Sequence, residues 1–401
     1  TAYEIKECDW SSDVCSSDLP GSCILAYGLL LAFGFAQPTM KPSVAAAADD
    51  DKIDFERAKQ LFRRRERGEK LSDDEAAYLK RAIEARNRVN NSAGQSPRRG
   101  ELTPRESVGL KPLNDMKADD RYLGEDGGLY GKGLNTPPDA HRRAAENELA
   151  QIRPLNVDGK PDSSGCIGFI SISMSNATQE FSRFKQVADN DAAKSSKLTI
   201  VDCAQGGQAM AEWFSPSAPA WRETDRRLQA AGVSPQQVRV VWIKLANKGP
   251  TGTLEEHGRK LQRDTRAVLQ NAKAKFPNVR IAYLSSRIYG GYTSGALNPE
   301  PYAYESAFAV RWLIQDQIAA QQELNFDPSR GTVKAPLLLW GPYLWADGTT
   351  PRQPDKLSYK REDLAGDGTH PSELGRDKVA RVMLTFFKND PLAKSWFVGQ
   401  R

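Results

Sequence analysis

Cys166-Ile-Gly-Phe-Ile-Ser-Ile-Ser173 decides the fold, because it is short, apolar, rich in β-branched residues and not alternating with polar ones. A strand of this kind is buried on both faces, as strands are in parallel sheets covered by helices. Met174-Ser175-Asn176 follows without a break, and helical spacing continues to about Val187. Working outward, runs of the same character occur at residues 198–203, 238–245, 279–285 and 335–340, separated by longer polar stretches with helical character. Strands alternating with helices predict an α/β fold with a central parallel sheet.

Such sheets bind ligands at the carboxyl ends of their strands. The first expected strand ends at Ser175-Asn176, where a helix begins and its free N–H groups favour negative charge. The second ends at Ala204-Gln-Gly206-Gly207, where glycine lets a backbone N–H approach a ligand. The third ends at Leu245-Ala246-Asn247, whose amide can donate. Ser175 is therefore a candidate nucleophile, and the Ser175 and Gly207 N–H groups with the Asn247 amide are candidate oxyanion donors. Near the C-terminus stands Gly366-Asp367-Gly-Thr-His370-Pro371. Asp367 can bond His370 Nδ1 and fix the tautomer, leaving Nε2 to take the serine proton.

This constellation resembles the SGNH (GDSL-like) hydrolase family, whose blocks contribute Ser, Gly, Asn and His in that order, with an Asp shortly before the His. The sialate O-acetylesterase-like branch is locally similar around Met174-Ser175-Asn176 and Gly206-Gly207-Gln-Ala-Met-Ala-Glu-Trp213. The resemblance spans about residues 164–390. It implies a flavodoxin-like three-layer sandwich, with Ser175, Asp367 and His370 catalytic and Ser175, Gly207 and Asn247 forming the oxyanion hole. The implied activity is ester hydrolysis through an acyl-enzyme, with a small acyl ester or acylated carbohydrate as substrate. Two positions depart from the family. Ser173-Met174 stands where Gly-Asp or Gly-Gln precedes the serine, and Lys248 replaces an Asp that often follows the Asn. These departures raise the alternative of a catalytically silent domain that binds cell-envelope polysaccharide. No G-x-S-x-G elbow is present, which argues against an α/β-hydrolase.

Asn176, Gly206, Trp213, Arg287, Tyr289, Trp340 and Tyr343 lie at or just beyond strand ends and are candidate substrate contacts, the aromatics as a platform for sugar rings. Tyr292 and Trp345 belong to the same group, and Asp347 is a rival carboxylate to Asp367. The ordinary alternatives are that Ser175 only caps a helix, that His370 is a loop residue and that the aromatics are core. The sequon Asn176-Ala-Thr178 is read as coincidental. His141 and His257 lack a third ligand nearby, so no metal site is expected, and no cofactor is implied.

The remaining sequence is auxiliary. Residues 1–19, TAYEIKECDWSSDVCSSDL, resemble translated sequencing-adapter read-through and are set aside. An apolar run, Ile24-Leu-Ala-Tyr-Gly-Leu-Leu-Leu-Ala-Phe-Gly-Phe-Ala36, leads to Ser43-Val-Ala-Ala-Ala-Ala48, so residues 20–48 read as a signal peptide, the alternative being an uncleaved anchor. A secreted, periplasmic or cell-envelope location follows, with no stable membrane span after cleavage. Phe55, Ala58, Leu61 and Phe62, a stop at Gly68, and the capping box Ser72-Asp-Asp-Glu75 before Tyr78, Leu79, Ala82 and Ile83 predict a helical hairpin over 49–90. Its Arg63-Arg64-Arg65 run is read as a solvated face, the alternative being a contact for an anionic partner. Residues 91–160, rich in Asn, Pro, Gly and charge, read as a linker wrapping or trailing a catalytic domain at 161–395. The chain has a net charge of +5, with 56 basic and 51 acidic residues. Without residues 1–48, which hold two Lys and five acidic residues, 54 basic and 46 acidic residues remain, a net +8. That is mild for the length, so no nucleic-acid partner is expected. The fold that the resemblance implies puts Cys166 and Cys203 at opposite ends of neighbouring strands, so they are expected to remain unpaired.

Overall fold

The computed structural model describes residues 104–399 and, within 53–92, all but 55, 56, 59, 62, 63, 65–68 and 70. The adapter-like segment 1–19 and the leader 20–48 lie outside the described residues, as do Phe55, Phe62, Arg63, Arg65 and Gly68. The chain divides into two units, residues 1–100 and 101–401.

In the first unit, helix α1 spans Asp73–Ser92. It starts where reciprocal bonds satisfy two otherwise free backbone donors: Glu75 N donates to Ser72 Oγ at 3.2 Å, and Ser72 N to Glu75 Oε2 at 3.0 Å. Leu79 and Ala82 on one face of α1 are buried with Ala58 and Leu61 from the preceding helical turn.

In the second unit, the expected strands form one five-stranded sheet: β1 Ile167–Ser173, β2 Leu198–Val201, β3 Val238–Lys244, β4 Ile281–Leu284 and β5 Leu337–Trp340. Their order is β2-β1-β3-β4-β5, and every pairing is parallel. The helices are α2 Asp139–Ala150, α3 Ser175–Asp189, α4 Pro219–Ala230, α5 Arg259–Lys275, α6 Tyr302–Ile318, α7 Glu373–Asn389 and α8 Lys394–Phe397. This is the expected α/β fold with a doubly wound, flavodoxin-like strand order.

The topology fixes where a site can form. From β1 the chain moves outward to β2, then reverses across β1 to β3, β4 and β5. Right-handed crossovers put α3 on one face and α4, α5 and α6 on the other. The crevice therefore opens between the ends of β1 and β3, where the winding reverses. On the α3 face, Phe169 of β1 meets Phe181 of α3 with ring centroids 5.4 Å apart and Phe387 of α7 at 5.0 Å. Each fully buried Phe of this kind contributes about 1.5–3 kcal/mol of apolar transfer free energy. That packing clamps α3 and α7 to one face of the sheet; Ser175 is the first residue of α3, and His370 stands three residues before α7.

The segment 91–160, read as a linker wrapping or trailing the domain, wraps it over its described part, and the boundary at 161 is what is corrected. Residues 104–160 wrap the sheet and enter its core through Leu113, Met116, Tyr130, Ala145, Leu149 and Leu155. Leu113, Met116, Tyr130 and Leu155 are single anchors spread along polar chain, while Ala145 and Leu149 lie with His141 on the buried face of α2. The domain supplies the polar partners. Asp347 accepts from Ser107 Oγ at 2.6 Å, Val108 N at 2.8 Å and Gly109 N at 3.0 Å. Buried Arg311 holds Glu125 and the Asp126 carbonyl, the latter at 2.6 Å. No structural break falls at residue 161, and the compact unit begins near 101.

Cys166 and Cys203 are both free thiols, and burial pushes the Cys203 thiol up. Among the described residues no helix is long and apolar enough to cross a membrane.

Candidate active site

The residue that caps α3 is Met174, whose side chain makes no capping bond, and Ser175 is the first helical residue. Ser175 Oγ is thus not spent on its own helix. It lies 2.8 Å from His370 Nε2. His370 Nδ1 lies 2.5 Å from Asp367 Oδ2. Asp367 Oδ1 also accepts from the backbone N–H groups of Thr369 at 2.9 Å and His370 at 3.0 Å. Burial raises the Asp367 carboxyl, but the bonds from His370 and the two backbone donors outweigh it and hold the group well below the usual carboxylate range. A carboxylate there accepts from Nδ1–H, which leaves Nε2 unprotonated and facing the serine hydroxyl. Gly368, with φ +67°, makes the turn between acid and base, and a Cβ there would meet the Tyr292 carbonyl at 1.9 Å.

Gly207 and Asn247 follow β2 and β3, the two strands that flank β1. Gly207 has φ +74°, a conformation suited to glycine. Neither Gly207 N–H nor Ser175 N–H bonds a backbone carbonyl. Asn247 is held at both ends: its carbonyl accepts from Asn298 Nδ2 at 2.9 Å and its Oδ1 from Lys260 Nζ at 3.4 Å. The lysine takes the oxygen end of the amide, so Nδ2 is left as donor. Met174, Ala209 and Ala246 form a small apolar cluster of their own. Each is within two residues of a candidate oxyanion donor, so this contact ties the three strand ends together.

Both departures from the family pattern have a structural use. Met174 builds that cluster, and Lys248 Nζ bonds Glu212 Oε1 at 2.8 Å, linking the Asn loop to the Gly loop.

The aromatic platform is corrected. Trp213, Tyr289, Trp340, Tyr343, Tyr292 and Trp345 are all buried. Tyr289 OH donates to the Arg105 carbonyl at 2.8 Å, Trp340 Nε1 to the Leu129 carbonyl at 2.5 Å, and Tyr343 OH accepts from Leu113 N at 3.1 Å. The wrap covers these rings, so they are core. Trp213 is fully enclosed, with Nε1 on the Gln208 carbonyl at 3.1 Å. Asp347 is spent on the wrap and does not compete for His370. Asn176 and Arg287 are buried, and Gly206 is exposed. Burial of Asn176 closes its sequon to glycosylation in the folded chain. His141 Nε2 is 2.8 Å from the Leu338 carbonyl and His257 Nε2 is 2.5 Å from Glu305 Oε2.

Two features were not read from the sequence. Asp202, at the end of β2, accepts from Ser171 Oγ at 2.6 Å, Thr178 Oγ1 at 2.5 Å and Ser182 Oγ at 2.6 Å, fastening the start of α3 to the sheet. The i, i+4 pair of hydroxyls after Ser175 was the available signal. A polar groove of about 610 Å³ also runs between α3 and α7, lined by residues including Gln179, Arg183, Glu373 and Arg376. It begins within about one helical turn of both Ser175 and His370.

No family model and no curated protein matches this chain. Among solved structures it is similar to a candidate acylhydrolase from Bacteroides fragilis, at 12% identity over 62% of this chain and 97% of that one, with a TM-score of 0.33. A candidate platelet activating factor from Streptococcus pneumonia matches at 11% identity over 61% and 92% of the two chains, with a TM-score of 0.31. A salicylyl-acyltransferase from a tetracycline biosynthetic pathway matches at 14% identity over 58% of each, also with a TM-score of 0.31. At these scores the likenesses carry no argument about function.

Proposed function

We propose that this protein is a serine ester hydrolase that removes acetyl or another small acyl group through an acyl-enzyme on Ser175. The observation that carries the reading is the Ser175–His370–Asp367 relay, with contacts of 2.8 Å and 2.5 Å. His370 Nε2 takes the hydroxyl proton as Oγ attacks the ester carbonyl carbon. The N–H groups of Ser175 and Gly207 and Asn247 Nδ2 hold the oxyanion. Collapse breaks the ester C–O bond, and His370 returns the proton to the departing alcohol. A water molecule, deprotonated by His370, then attacks the acyl carbon, releasing the carboxylic acid and restoring the serine hydroxyl.

Carbohydrate is the acceptor class implied by the resemblance. The polar groove between α3 and α7 supports it, since amide, guanidinium and carboxylate groups there suit a hydroxyl-rich chain. Export to the cell envelope is supported by the apolar run and small residues of 20–48.

The test is hydrolysis of a chromogenic acetate ester by the native chain and by Ser175→Ala. The variant is expected to lose at least a thousandfold in kcat, and equal rates would refute the assignment. A panel of acetylated sugars then identifies the acceptor.

A further inference from the structure

Four arginines among the described residues are buried: Arg239, Arg287, Arg311 and Arg352. Three have their guanidinium groups on oxygen. Arg239 bonds the Asn278 carbonyl, Arg311 bonds Glu125 and Asp126, and Arg352 bonds Asp355 and two carbonyls. Arg287 has no oxygen acceptor. Its side-chain contact is Nη1 to Met174 Sδ at 3.7 Å, and its Nε is enclosed without a partner. Such a group is costly to bury, because a desolvated cation with unmade hydrogen bonds loses its hydration and gains little in return.

The acidic groups that face Arg287 electrostatically are Glu180, Glu300 and Asp367. Each bonds other groups, and none forms an ion pair with Arg287. Glu180 pairs with Lys244 through Oε2, while its Oε1 is enclosed without a partner. Glu300 accepts from Trp345 Nε1, Gly290 N and Tyr304 N. Asp367 serves His370 and Thr369. None of the three supplies the oxygen acceptor that the Arg287 guanidinium lacks. Its neighbourhood repeats the pattern. Asn176, 1% exposed and next to Ser175, has neither amide atom partnered, and Ser286 Oγ, next to Arg287, is also enclosed without a partner.

The guanidinium touches the residue immediately before the nucleophile, and one planar fork of donors there matches a carboxylate. We propose that Arg287 is a specificity residue that binds a carboxylate carried by the substrate close to the ester attacked by Ser175. The substrate class is then an anionic ester, with the carboxylate on the acyl group or on the acceptor. With 3% exposure around the residue, the pair forms in nearly dry surroundings, where a charge-assisted bond is strong.

This inference rests on the hydrolase reading, and its test separates the two. The native chain is assayed with 4-nitrophenyl acetate against 4-nitrophenyl hemisuccinate, and with 4-acetoxybenzamide against 4-acetoxybenzoate. The first pair places the carboxylate on the acyl side and the second on the leaving side. One anionic ester is expected to exceed its neutral counterpart at least tenfold in kcat/KM, mainly through KM. Arg287→Gln should erase that ratio, and Arg287→Lys should restore part of it. Succinate and benzoate should also raise the Tm of the native chain and not that of Arg287→Gln. Turnover with no preference in either pair and no carboxylate-dependent Tm shift overturns this inference alone, even if Arg287→Gln fails to fold. A preference or shift that persists in Arg287→Gln also overturns it. Arg287-dependent carboxylate binding with no turnover of any ester overturns the hydrolase reading alone.

Discussion

Ser175 Oγ and His370 Nε2 meet at 2.8 Å across 195 residues of chain. The contact lies at the starts of α3 and α7, two helices packed side by side further along their length through Phe184 and Phe387, with ring centroids 5.5 Å apart. A site assembled this way inherits the rigidity of the core beneath it, and its acid–base behaviour follows from local bonds.

Asp367 is the first case. Its carboxyl is held well below the usual range by the three donors of the His370 loop. It therefore remains ionised as pH falls through the range in which an ordinary carboxylate, near 3.9, begins to protonate. The acid limb of log kcat/KM should have a slope of one, with no second break above about pH 4. Asp367→Asn should lower kcat by roughly a thousandfold or more. A slope of two in the native chain would show Asp367 titrating.

The donor assignment predicts that Asn247→Ala lowers kcat roughly a hundred- to a thousandfold, with a smaller effect on KM. Lys260→Ala should give a partial form of the same loss, because Lys260 Nζ holds the amide oxygen. An Asn247→Ala variant with native kcat would remove the amide from the oxyanion site.

Glu300 predicts a pH dependence of stability. Burial lifts its carboxyl from an ordinary 4.5 to about 7, against the three donors that bond it. Between those values the folded chain binds more protons than the unfolded chain, so stability falls as pH rises from about 4.5 to about 7 and is level above. The shift corresponds to at most about 3 kcal/mol. Tm measured from pH 5 to 7.5 should fall more steeply in the native chain than in Glu300→Gln. Equal slopes would exclude Glu300 as the titrating group.

The wrap predicts a minimal folding unit. A chain starting at residue 161 lacks Leu113, Met116, Tyr130 and Leu149 from the core. It also leaves Trp340 Nε1 and Tyr289 OH without their carbonyl partners. It should show no cooperative thermal transition, whereas a chain starting at residue 101 should retain one. Equal Tm values for the two would contradict the wrap's role.

The five strands were legible because each is a local apolar run. The Asp367–His370 pair was legible because acid and base lie three residues apart in one loop. What escaped the sequence depends on chain brought from elsewhere. The boundary set at 161 and the aromatic platform failed for one cause. Position at a strand end shows that Trp340 and Tyr343 point toward the crevice end, not that residues 105–130 cover them. The unpaired state of Arg287 was hidden for the same reason, since no local pattern reveals that Glu180, Glu300 and Asp367 bond other groups and not Arg287.

The central claim is that Ser175 is a nucleophile activated by His370. Fluorophosphonate labelling of the folded chain, mapped by peptide mass, tests it most directly. The account predicts an adduct on Ser175 that forms at least a hundredfold more slowly in His370→Ala. A folded native chain that takes no label at Ser175, or a His370→Ala variant labelled there at the native rate, would contradict it.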